Sequence, residues 1–117
     1  MKNSRKYRKL LVLNISVKKF ITPHLITGKK ALIPAANYLE AENENLKNNK
    51  QIQLLKLKYD RLKQLINEVE EFKKNHLRND QDALSELDFI AILDDCIQIE
   101  SHALLLNTFL MVKYNTV

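Results

Sequence analysis

The sequence predicts an all-α fold: a long antiparallel helical hairpin, coiled-coil-like in its packing, with a basic amino-terminal arm. Three observations carry that expectation. The chain has 117 residues and a single Gly. Its two prolines are Pro23 and Pro34, so the last 83 residues contain neither Gly nor Pro. Sheets need many tight turns, and turns draw on those residue types. Apolar residues also recur at helical spacing over two long stretches. The length suits one domain, read as an arm and linker over 1–34 and a helical hairpin domain over 35–117.

Residues 1–9 read as a basic tail. Residues 10–21, LLVLNISVKKFI, are ambiguous. Leu11, Leu13, Ile15 and Val17 alternate as a short strand would, yet the same stretch suits an amphipathic helix. Thr22-Pro23 has the form of a helix N-cap followed by Pro at the first helical position, with Gly28 closing a short turn. GKKALIP then reads as a linker, and Pro34 as the opening of the next helix.

From Ala35 to about Lys74 the pattern is helical, with AENENLKNNK marking an exposed stretch or a break. Ile52, Leu55, Tyr59, Leu62, Ile66 and Val69 follow at 3–4 spacing and lie on one stripe, widened by Leu65 and Phe72. Such a seam, under three heptads long, suits packing inside a bundle. Lys73, Lys74, His76 and Arg78 fit a helix carboxyl end. Asn79, Asp80 and Asp82 are N-cap candidates for a last helix over about 82–113, and the short junction makes the two helices antiparallel neighbours.

The last helix carries two apolar rows. One is Phe89, Leu93, Cys96, Ile99, Ala103, Leu106 and Leu110. The other is Ile90, Ile97, Leu104 and Met111. A helix this apolar needs covering on more than one side. Residues Phe89, Ile90, Leu93, Ile97, Leu104 and Met111 are therefore the candidate protein interface, and a homo-oligomer or a helical partner completes the bundle. Aspartate at Leu93 or Ile97 is expected to break the bundle.

Charge is unevenly distributed. Residues 1–39 hold nine Lys/Arg and no acid; the rest of the chain holds ten basic and fourteen acidic residues, for a net charge of +5. Lys2, Arg5, Lys6, Arg8, Lys9, Lys18, Lys19, Lys29 and Lys30 are candidate phosphate contacts, with Tyr7 placed to stack on a base. Without a helix-turn-helix, zinc-finger or RNA-recognition signature, such contacts would be to the backbone and weakly dependent on sequence. The plainer alternative is a solvated tail.

Enzymatic chemistry is not expected. TGKK at 27–30 lacks the upstream Gly of a phosphate loop. The three histidines fall in separate segments, and no Cys-x-x-Cys, His-x-x-x-His or Glu-x-x-His is present, so neither metal nor cofactor is expected. Asp95, Glu100 and His102 are the nearest thing to a cluster. Cys96 lies in the apolar seam beside acids, a setting for a buried thiol rather than a nucleophile. A single Cys permits no internal disulfide, which favours the cytoplasm. A mitochondrial or other organelle address is the alternative, because the acid-free amino terminus fits a presequence. No apolar run approaches the roughly 18–20 residues of a membrane span.

The expected role is a small non-enzymatic helical subunit or regulator in a nucleic-acid-associated assembly. Its arm would contact phosphates and its last helix a partner helix. The alternatives are an adaptor or chaperone-like helical dimer with a passive tail, and an organelle-targeted helical subunit.

Overall fold

The computed structural model describes residues 12–115. Three helices pack against one another: α1 (Asn14–Ala41), α2 (Lys50–His76) and α3 (Glu86–Asn115). Two short strands, β1 (Val12–Leu13) and β2 (Ala83–Leu84), pair antiparallel with Val12 opposite Leu84 and Leu13 opposite Ala83. The all-α expectation holds, and the chain supplies its own third helix.

That third helix is the main correction to the sequence reading. Residues read as arm and linker form α1 instead, a helix of 28 residues with Pro23 and Pro34 inside it. Its buried stripe is Val17, Ile21, Leu25, Gly28, Ala31 and Ala35, at 3–4 spacing. Both prolines lie on the exposed face. Each removes one helical hydrogen bond, to the carbonyl of Lys19 or Lys30, where the backbone faces water. Thr22 and Thr27 donate their hydroxyls to the carbonyls of Lys18 and Pro23, one turn back. Burying Val17, Ile21 and Leu25 contributes about 1.5–3 kcal/mol each, which together offsets the roughly 3 kcal/mol that an interior Pro costs.

The ambiguity over 10–21 resolves into both answers. Val12 and Leu13 form the strand, and helix begins at Asn14. Asn14 is buried at the junction. Its backbone N–H donates to the Asp82 carbonyl at 2.8 Å. Its side-chain amide donates to the carbonyls of His76 (3.2 Å) and Asn79 (2.9 Å). One residue thus ties the start of α1 to the end of α2 and to the turn that leads into α3. Those carbonyls lie at a helix end, where intrahelical donors run out.

The Asn-rich stretch is a complete break. A 3-10 turn, Asn43–Asn45, follows α1, and Asn49 caps α2 by accepting from the backbone N–H groups of Gln51 and Ile52. Gln53 donates back to the carbonyls of Leu46 and Lys47. In α2 the anticipated seam is buried at Ile52, Leu55, Leu62, Ile66 and Val69, with Leu65 beside it and Tyr59 half-buried.

Helix α3 starts at Glu86, later than the expected residue 82, because 83–84 pair with β1 and Ser85 is the effective cap. The Ser85 hydroxyl donates to the Asp88 carboxylate at 3.1 Å and accepts from its backbone N–H. The core side of α3 is Ile92, Cys96, Ile99, Ala103, Leu106 and Leu110. Lys29 pairs with Glu70 and Lys18 with Asp80, so α1 and α2 run antiparallel. Phe20 meets Phe89 and Tyr38 meets Phe109, so α1 and α3 run parallel. Gly28 lies where all three meet: a Cβ placed there would fall 2.9 Å from Ile66 of α2 and 2.9 Å from Ile99 of α3.

Candidate interaction surface

The core of α3 occupies one face of the helix and leaves the second apolar row uncovered. Ile90, Ile97, Leu104 and Met111 are 50%, 57%, 68% and 59% exposed. Seven residues are close to two helical turns, so the four side chains form a nearly straight line down α3. Leu87, Leu105 and Val112 extend the exposed apolar surface on one flank; these were not singled out from the sequence. The available signal was spacing: Leu105 and Val112 follow Leu104 and Met111 by one residue, and Leu87 precedes Ile90 by three, which puts all three on the same flank. Past Leu105 and Val112 the surface dips into a groove of about 500 Å³ against Leu54 and Leu55 of α2, with Phe109 in its wall.

The other two expected interface residues sit differently. Leu93 is only partly exposed. Phe89 turns inward and packs against Phe20, ring centroids 6.1 Å apart. The exposure of Ile97 also corrects the expectation that Asp at this position breaks the bundle.

Of the candidate phosphate contacts, Lys2, Arg5, Lys6, Tyr7, Arg8 and Lys9 lie outside the described residues. Lys18, Lys19, Lys29 and Lys30 lie on α1. Lys18 is paired with Asp80, and Lys29 with Glu70 at 3.1 Å. Lys19 and Lys30 are exposed. The described part of the basic segment is therefore half committed to holding α1 against α2 and the turn after it.

Asp95, Glu100 and His102 do not converge. Glu100 accepts from His24 Nδ1 on α1 at 2.9 Å. His102 donates through Nδ1 to the Gln98 carbonyl at 2.8 Å. The Asp95 carboxyl is pushed up from its ordinary value by burial first, then by Glu68 and Asp94, with Arg61 opposing. Among the described residues no three His, Cys, Asp or Glu side chains are grouped to hold a metal ion. None of the described helices is long and apolar enough to cross a membrane.

Cys96 is buried against the other helices. Burial, then Asp95 and Glu100, raise its thiol to about 11. Because the folded pKa is raised, the thiol stays protonated up to the ordinary range and beyond. Its modification by a thiol reagent at pH 8 is expected to be slow in the native protein and fast in denaturant. Rapid native labelling would show that the α3 core face is open.

No protein-family model, curated protein or solved structure matches this chain.

Proposed function

We propose that this chain is a small, non-enzymatic helical subunit that acts through its surfaces, docking a helix along α3 and contacting a polyanion, most simply nucleic acid, through its basic arm. The observation that carries the docking reading is the line of Ile90, Ile97, Leu104 and Met111, each half or more exposed on a folded bundle. Single exposed apolar residues are ordinary; a continuous row is characteristic of a binding face. Affinity capture with the full chain, run beside the Ile97→Asp/Leu104→Asp variant, tests it. A chain held by the first bait and lost by the second identifies the occupant. Equal recovery by both sinks the reading.

The arm reading rests on a separate observation: five of the first nine residues are Lys or Arg, and no acid precedes Glu40. Phosphate neutralisation releases counterions, so log K is expected to fall linearly with log salt, with a slope of about −0.9 per contact on duplex DNA. Fluorescence anisotropy with generic DNA and RNA, full chain against a deletion of 1–11, measures it. The deletion stops there because α1 begins at Asn14 and its core stripe must stay. Loss of salt-sensitive binding with the arm supports the phosphate grip. Binding that survives the deletion unchanged moves the phosphate contacts from the arm to Lys19 and Lys30 of α1; binding absent even at low salt leaves an adaptor with a passive tail. An organelle-targeted subunit, the remaining alternative to a cytoplasmic one, is tested by the intact mass of the protein from its source cells.

A further inference from the structure

We infer that the occupant of the α3 row is a second copy of this chain, laid antiparallel to the first. The inference rests on the docking reading and names its partner. The row is symmetric about the point between Glu100 and Ser101. An antiparallel copy sets Ile90 against Met111 and Ile97 against Leu104 of the other copy, twice over. That symmetry suits the closed two-fold association most homo-oligomers adopt.

Charge selects this orientation. Seven acids lie between Asp80 and Glu100, whereas Ser101–Val117 contains no acid and one Lys, Lys113. A parallel pair would lay Glu86 and Asp94 against their own copies, like charge on like. The antiparallel pair turns the acidic half of each α3 toward the acid-free half of the other. Asp94, on the flank of the row, then comes beside Thr108 of the second copy. The helix dipoles also oppose favourably.

The centre of the row permits close approach. Ser101, small and exposed, sits at the two-fold. Glu100, the acid nearest the axis, is held toward α1 by His24. The chain's own arm is a poor occupant, because Met1 and Tyr7 are the only apolar residues among its first nine. A 30-residue helix is about 45 Å long, so a single-helix strip buries roughly 500 Å² per copy, about 1,000 Å² in total. That is the low edge of specific interfaces, and the dimer is expected to be reversible.

Sedimentation equilibrium of the full chain over a concentration series is the test. A monomer–dimer equilibrium is expected, weakened at least tenfold by Leu104→Glu, with an unchanged helical circular dichroism spectrum. Orientation is read by cross-linking: Ile90→Cys and Met111→Cys chains are expected to form a mixed disulfide when combined and none when oxidised separately. Disulfide-linked dimers of Ile90→Cys alone would overturn the antiparallel arrangement. A monomer at every concentration whose row still captures a different chain overturns self-pairing and leaves docking standing. A monomer whose row variants alter no capture overturns both.

Discussion

Ile99→Asp is expected to unfold the chain, whereas Ile97→Asp, two positions away on the same helix, is expected to leave it folded. Ile99 is fully buried, and its Cγ2 faces the point where α1 crosses at Gly28. Truncating a buried Ile already costs about 2–5 kcal/mol. Aspartate adds a carboxylate where no cation is buried: among the described residues the buried polar or charged side chain is Asn14. It must stay charged at high cost or take up a proton and still lack partners. A domain of this size has about 5–15 kcal/mol of stability in all. The sum consumes most or all of it.

Ile97 points to water, and surface changes are usually within about 0.5 kcal/mol, a shift of a few degrees in melting temperature. Thermal melts followed by circular dichroism separate the two variants. A folded Ile99→Asp, or an unfolded Ile97→Asp at dilution, would show that the two faces of α3 have been exchanged. At high concentration Ile97→Asp carries a second signature: it is expected to remove the dimer without removing the fold.

The contrast between those faces also marks what the sequence could show. The 7-residue row of α3 is legible, as is the α2 seam from Ile52 to Val69; the 3–4 core row is legible from Cys96 on, but its first turn is filled by Ile92 where the sequence suggested Phe89 and Leu93. The pattern alone does not say which row the rest of the chain covers, because that depends on where α1 lies. The α1 helix was the element hidden from the sequence. Its stripe changes from Val17, Ile21 and Leu25 to Gly28, Ala31 and Ala35, and small residues give little hydrophobic signal. Pro23, Gly28 and Pro34 read locally as breakers. The prolines are tolerated because they face water, and the glycine because it faces a helix crossing; neither fact is local. Asn14 is the same kind of case. It reads as an interruption of an apolar run, yet its amide supplies hydrogen bonds to His76 and Asn79 more than sixty residues away. The basic arm was legible as charge, and charge names a class of partner without placing a site.

Gly28→Val is expected to destabilise the bundle by about 3 kcal/mol or more, and Gly28→Ala by up to about 2 kcal/mol. On an exposed helix the alanine would stabilise by about 1 kcal/mol, since Gly is the poorer helix former. Gly28 keeps an ordinary helical φ, so alanine meets no backbone strain there. The opposing effect is steric. The new Cβ would lie 2.9 Å from Ile66 Cδ1, 2.9 Å from Ile99 Cγ2 and 3.2 Å from Ile66 Cγ1. Ile66 Cδ1 is the end of a side chain and can swing. Ile99 Cγ2 is fixed to a β-branched carbon whose χ1 is restricted in a helix. Overpacking of this kind costs about 1–3 kcal/mol, which exceeds the propensity gain over most of its range. Valine adds two further carbons to the same space. The pair Gly28→Ala and Ile66→Val isolates the contact, because Val lacks the Cδ1 atom. Urea unfolding of the two single variants and the double is expected to give a favourable coupling of at least about 0.5 kcal/mol. If Gly28→Ala is instead about 1 kcal/mol more stable than the parent and shows no coupling to position 66, the close crossing of α1 over α2 and α3 is wrong. The placement of the row left open on α3 would then have to be revised with it.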